Sequence, residues 1–168
     1  MVNEQDEAIG FMEKMEAHRK GVLHRAFSVI IHQNGKILLQ QRSLNKYHSS
    51  GLWTNTCCSH PRPEESLENA GRRRLKEEMG FECPVKPHFH FIYKADLDAN
   101  LIEHELDYVL FGTYDGEVHP NPDEVMDYKW VDWNEFTEDI TRSPERYTAW
   151  LQILIKDYKQ TIEEILFP

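Results

Sequence analysis

Several things are scarce in this chain, and each scarcity excludes a class of protein. Long apolar runs are missing. No stretch approaches the roughly 20 residues needed to span a bilayer, and the first ten residues are polar and acidic where a secretory leader would carry an apolar core. The expectation is a cytoplasmic protein with no membrane partner. Positive charge is in deficit: 19 Lys and Arg face 29 Asp and Glu, a net charge of −10. The basic face of a nucleic-acid binder is therefore not expected. Cysteine is limited to Cys57, Cys58 and Cys83. An odd number, two of them adjacent, does not make a disulfide framework in a cytosolic chain, so all three are expected as thiols. Repeats, low-complexity tracts and long linkers are lacking too. What is there, 168 residues that are 40% hydrophobic and 29% charged, suits one domain over residues 1–168 with a full core.

Apolar and β-branched residues over Leu23 to Ile31 and Lys36 to Gln41 predict two strands, and Asn34-Gly35 between them is a strong two-residue hairpin signal. Asn45 to Pro63 carries Gly, Ser, Asn and Pro without periodicity and is expected as a long loop, of the kind that is usually functional. Glu64 to Met79 predicts a helix whose buried stripe is Leu67, Gly71, Leu75 and Met79, ended by Gly80. Gly71 costs about 1 kcal/mol there relative to Ala, so a close approach by another backbone is expected. Strands follow at Val85 to Ala95, Glu105 to Tyr114 and Met126 to Trp133, and Ser143-Pro144 is expected to open a final helix. That order suggests a mixed sheet between helices.

Four constellations carry possible chemistry. Arg74 and Glu78 are four apart and share a helix face. A salt-bridged surface helix explains them as well as a site does. The functional alternative is that Glu78 binds Mg²⁺, which bridges carboxylates to phosphates, while Arg74 forks onto a phosphate oxygen. Cys58 and His60 lie two apart in the loop just before. They are either small buried residues with a turn histidine, or a reactive thiol whose cationic neighbours stabilise thiolate. The paired spacings of a structural zinc site are absent. Glu103 and Glu105 would point to one face of a strand. Exposed, they are a solvated strand end; buried together, they repel unless a cation joins them. His18 and His24 flank Lys20-Gly21. With His60, Glu103 and Glu105 they make a donor set that suits Mn²⁺, Zn²⁺ or a similar ion.

From Ser59 to Phe81 the chain resembles a degenerate Nudix box. Glu65, Arg73, Leu75, Glu77, Glu78, Gly80 and Phe81 match the pattern, while Ser59 stands where the first Gly belongs and Arg74 where a Glu follows Arg73. The second departure reverses charge at a residue that Nudix hydrolases use to bind metal, which weakens a pyrophosphohydrolase reading. Both departures are expected in one branch, the type I isopentenyl-diphosphate Δ-isomerases. The chain is similar to them through Glu13-Lys14, Ala17-His18, the segments 23–28 and 53–61, Glu103-His104-Glu105, and the segment Asp123-Glu124-Val125-Met126-Asp127-Tyr128.

The resemblance implies an α/β protein, a Nudix-type α/β/α sandwich with a mixed β-sheet. It implies reversible conversion of isopentenyl diphosphate to dimethylallyl diphosphate, by protonation and deprotonation through a carbocation, in isoprenoid biosynthesis. His18, His24, His60, Glu103 and Glu105 would hold one divalent metal, Mn²⁺, Zn²⁺ or Mg²⁺. Glu78 and the backbone carbonyl of Cys58 would help hold Mg²⁺ arriving with the diphosphate. Lys14, Arg42, Lys46, Arg74 and Ser59 would surround the phosphates, which reconciles an acidic chain with an anionic substrate. Cys58 and Glu105 would transfer the protons, Tyr93 would assist Glu105, and Trp150 would line the hydrocarbon pocket. The expected partner is this small molecule, with neither nucleic acid nor membrane, and the expected state is monomer or homodimer. Two rivals stand beside this reading: a Nudix pyrophosphatase, which gives Cys58 and the histidines no task, and a non-catalytic prenyl-diphosphate or metal-binding module.

Overall fold

Asn34 and Gly35 both take positive φ, 50° and 76°, and turn β1 (His24–Gln33) into β2 (Lys36–Arg42) with Gln33 opposite Lys36. The computed structural model describes residues 1–168, the side chain of Ala99 excepted. In it this hairpin is the middle of a seven-stranded mixed sheet. On its far side β1 pairs in parallel with β6 (Ile102–Thr113), and β6 carries β5 (Lys86–Asp96) antiparallel. β2 takes the short β3 (Trp53–Thr54) and the longer β7 (Val125–Asp132), while β4 (Cys57–Ser59) pairs with β1.

Strand β1 is apolar on both faces, so both must be covered. Phe27, Val29 and Ile31 meet Ala70, Leu75 and Met79 of α2 (Leu67–Met79). On the opposite face Ile30 joins Leu39 and Val109 under α3 (Trp133–Arg142) and α4 (Ala149–Leu166), which bring Phe136, Leu151 and Leu154. Each such side chain stabilises the fold by about 1.5–3 kcal/mol when fully buried. The architecture is the expected α/β/α sandwich. Among the described residues no helix is long and apolar enough to cross a membrane.

The details differ from the sequence reading in six places. The expected loop of Asn45 to Pro63 contains β3 and β4, which are too short for a periodic signal and exist only through their partners in β2 and β1. The helix expected from Glu64 starts at Leu67, because Glu64 takes φ 63° and Ser66 caps the amide of Asn69. Trp133, expected at the end of a strand, opens α3, where Asp132 accepts from the amides of Asn134 and Glu135. Ser143-Pro144 opens only a 3₁₀ turn, and the last helix begins at Ala149. Tyr147 is the reason: it is extended, 2% exposed, packed edge-on against Phe136 and bonded to Asp139, and a helix through it would break those contacts. At Gly71 the close neighbours are side chains, not another backbone. An added Cβ would lie 2.9 Å from Val85 Cγ2 and 3.0 Å from Leu110 Cδ2. The helix α1 (Lys14–Lys20), capped by Glu13 and by Gly21 at φ 61°, was not anticipated.

Candidate active site and metal centre

Four separate elements bring the expected metal donors together. α1 supplies His18, β1 starts with His24, His60 follows β4, and Glu105 lies in β6 as the Cα partner of His24. Tyr93 of β5 is the next partner in the same row. Glu105 Oε1 lies 3.0 Å from His60 Nε2, 3.4 Å from His24 Nε2 and 3.9 Å from His18 Nε2. The four donor atoms all fall within 4.8 Å of one another.

The arrangement fits a divalent ion. Nδ1 of His18 is 2.8 Å from the carbonyl of Lys14, and Nδ1 of His24 is 2.8 Å from that of Val22. A carbonyl can only accept, so each Nδ1 carries the hydrogen and each Nε2 turns a lone pair inward. Burial keeps His18 below the ordinary imidazole range and pushes His60 down to about 4, outweighing the neighbouring Glu105 carboxylate, so both rings are neutral, the form in which an imidazole can ligate a metal. Nε2 of His24 and His60 are 3.2 Å apart, a pairing of nitrogen donors that a cation between them would explain.

Glu103 stands beside this group and is not one of the four. Tyr93 Oη is 2.9 Å from Glu103 Oε2 and 2.7 Å from Glu105 Oε2, and its single proton can serve only one of them. Burial and the charge of Glu105 push the Glu103 carboxyl well above its ordinary range. Burial also acts on Glu105, but the imidazoles of His24 and His60 against it outweigh burial and hold Glu105 well below. The two carboxyls are thus driven apart, Glu103 toward its protonated form and Glu105 toward its charged one, with the Tyr93 hydroxyl between them.

At Cys58 burial works against the thiolate that cationic neighbours would stabilise. Burial first, then the nearby carboxyls of Asp107 and Glu78, push its thiol up to about 12. Its hydrogen points to Asn55 Oδ1 at 3.0 Å, and Trp150 Nε1 donates to the sulfur at 3.1 Å. Asn55 is itself fixed by donating to the carbonyls of Val29 and Cys57. All three cysteines are free, as expected.

A cavity of about 60 Å³ joins these groups to the cations. Lys14, Arg42, Lys46, Arg74, Ser59 and Trp150 all line it, together with Cys58, Tyr93, Glu103 and Glu105. Arg42 is held by the carbonyls of His48 and Ser49 and lies 5.2 Å from the Trp150 ring. Glu78 is buried behind the cradle. Its Oε1 accepts from Arg74 and its Oε2 from Gln40 at 2.8 Å.

Two further residues were not foreseen. His48, 5% exposed and edge-on to Trp150, lines the cavity, and burial pushes it down to about 3. A lone histidine in a Ser- and Gly-rich loop gives no sequence signal. Asp107 is 1% exposed and accepts from Ser28 Oγ at 2.7 Å, while its Oδ1 has no partner. Here a signal existed: the alternation that pairs Glu103 with Glu105 continues to Asp107.

The chain is similar to known proteins in sequence and in fold. Residues 22–151 match the NUDIX domain. The chain is 51% identical over 152 residues to Isopentenyl-diphosphate Delta-isomerase 2 of Aromatoleum aromaticum, covering 90% of this chain and 80% of the relative. It is 50% identical over 166 residues to Isopentenyl-diphosphate Delta-isomerase 2 of Photorhabdus laumondii, covering 98% and 94%. In fold it is similar to the crystal structure of DR0079 from Deinococcus radiodurans, with a TM-score of 0.74, 18% identity and coverage of 92% and 94%. The MutT protein of Methanosarcina mazei follows at a TM-score of 0.64 and 21% identity, with coverage of 84% and 96%. The chain belongs to the Nudix family and, within it, to the isopentenyl-diphosphate Delta-isomerases.

Proposed function

We propose that this protein interconverts isopentenyl diphosphate and dimethylallyl diphosphate, with Cys58 and Glu105 as its two proton-transfer groups. The observation that carries the proposal is that Cys58 and Glu105 line one cavity together with Trp150 and the cationic cradle; burial pushes the thiol up, and the imidazoles beside the carboxylate hold it low. A 1,3-shift of a double bond needs one proton delivered to C4 and another removed from C2. Tyr93, donating to Glu105, steadies that carboxylate and links it to Glu103. An alkene is a poor base, and the tertiary cation formed by protonating it survives only where water is excluded. Trp150, 3% exposed and bonded to the Cys58 sulfur, offers the indole wall that attracts such a cation.

Lys14, Arg42, Lys46, Arg74 and Ser59 bind the diphosphate. Glu78 and the Cys58 carbonyl meet the Mg²⁺ that the diphosphate carries in. His18, His24, His60 and Glu105 would hold a second divalent ion, with Glu103 beside them as a fifth donor. Bound there, that ion would supply positive charge between two neighbouring carboxylates. Three imidazoles favour Mn²⁺ or Zn²⁺ over Mg²⁺ in this site.

Proton NMR of the protein with isopentenyl diphosphate and Mg²⁺ in D₂O tests the proposal. Dimethylallyl diphosphate carrying deuterium should appear, and a chelator should stop it. Unchanged substrate, with phosphate released from nucleoside diphosphate derivatives instead, would replace the isomerase with a hydrolase.

A further inference from the structure

Glu124 lies in the segment Asp123–Tyr128, which carries family resemblance but has no task in the chemistry above. Its main chain is tied to the two elements that bear cations of the cradle. The amide of Ser43, in the loop leading to Lys46, donates to the Glu124 carbonyl at 3.0 Å. The amide of Glu124 donates to Asn121 O at 3.0 Å, and the amide of Asn121 donates to Glu78 O at 2.9 Å near the end of α2. With the backbone fixed there, the carboxylate falls between the cations. Its Oε2 accepts from Lys46 Nζ, and its Oε1 lies 3.5 Å from Arg74 Nη2. Arg74 also donates to Glu77 and Glu78, so two cations face three carboxylates at this corner. The Glu124 side chain is 26% exposed and has water to turn to.

Resting on the reading of Lys46 and Arg74 as diphosphate contacts, we infer that Glu124 is an internal counter-ion that the diphosphate displaces and whose return helps expel product. The reaction gives such a group a purpose. Substrate and product carry the same diphosphate and differ only in the position of a double bond, so a cradle that grips one grips the other. Binding both more tightly adds nothing to the chemical step and slows departure. A tethered carboxylate weakens the grip without touching the hydrocarbon end. It acts on one half of the cradle only. Lys14, beside Tyr47, and Arg42, held by backbone carbonyls, have no carboxylate bonded to them among the described residues, and keep their charge for the ligand.

Glu124→Gln keeps the shape and the main-chain contacts and removes the charge. Calorimetric titration of the metal-loaded enzyme with inorganic pyrophosphate and Mg²⁺ should show binding tightened by about fivefold, the scale of a partly exposed ion pair. Inhibition by dimethylallyl diphosphate should tighten in step. Glu124→Asp, which draws the carboxylate back by one methylene, should move both quantities the same way by less. Unchanged or weaker pyrophosphate binding in Glu124→Gln, at a wild-type Tm, overturns the inference and makes Glu124 part of the cradle itself. Lys46→Ala in the same titration checks the reading underneath. It should weaken pyrophosphate binding, and if it does not, Lys46 is no diphosphate contact and the counter-ion role falls with it.

Discussion

Cys57 and Cys58 are identical side chains sent to opposite faces of one short strand. Cys57 is fully buried beneath α2, with its sulfur 3.7 Å from Glu78. Cys58 reaches the cavity, between Asn55 and Trp150. Replacing Cys58 by Ala should cut kcat by about 10³-fold or more, as loss of a proton carrier does. Pyrophosphate affinity should change little, because no phosphate cation touches the sulfur; a comparable loss of affinity would move Cys58 into the binding machinery. His60 makes a prediction with pH. Its folded value, about 4, lies below the ordinary 6.5, so between these the unfolded chain takes up a proton that the folded ring refuses. Stability of the metal-free protein is full above 6.5 and falls as pH drops toward 4. His60→Asn should flatten part of that slope in urea titrations, and His48, lower still, should sustain the rest. An unchanged slope would show that His60 titrates normally in the fold. At this scale the sequence made the donors legible, because Glu103 and Glu105 alternate and the histidines stand in recognisable segments. It did not show which group keeps a proton. That depends on burial by elements remote in sequence, which pushes the Cys58 thiol up although its cationic neighbours would favour thiolate.

Elements with a full period were readable, and those held only by partners were not. β1, β2, β5, β6 and α2 follow from alternation, an Asn-Gly turn and a four-residue stripe. β3, β4 and α1 carry too few residues for any periodicity, yet β4 and α1 position Cys58, Lys14 and His18. α2 offers a test of packing against propensity. Gly71→Ala gains about 1 kcal/mol of helix propensity. The new methyl, however, meets Val85 Cγ2 at 2.9 Å, and Val85 is stiff and only 3% exposed. Overpacking at such a site costs about 1–3 kcal/mol. The substitution should therefore be net destabilising by about 1 kcal/mol in denaturant titration. A net gain would mean that the sheet under α2 yields more than the geometry implies.

Across the whole molecule the net charge of −10 coexists with four cations around one cavity. The opposing carboxylates are partly internal: the His/Glu group and Glu78 gather negative charge where positive ions are expected, which composition alone cannot reveal. A bound ion therefore stabilises the fold as a whole. At about 100 times its Kd it contributes about 2.7 kcal/mol, which for a chain of this size is about 5–10 °C in Tm. Chelation should lower Tm by that amount, and Mn²⁺ or Zn²⁺ should restore it. If chelation leaves Tm unmoved, the histidine cluster holds no metal in the folded protein.

The parallel pairing of β1 with β6 sets more than the position of the donors. His24 and Glu105 come from opposite halves of the chain and become neighbours only when that pairing closes. Contacts between such distant segments bear a loop-closure penalty before any reward, and they come late. The β1–β2 hairpin, by contrast, is local. A divalent ion whose four donors meet only in the closed sheet is therefore expected to slow unfolding and to leave the refolding rate unchanged; refolding that quickens with Mn²⁺ would place the β1–β6 pairing inside the folding nucleus.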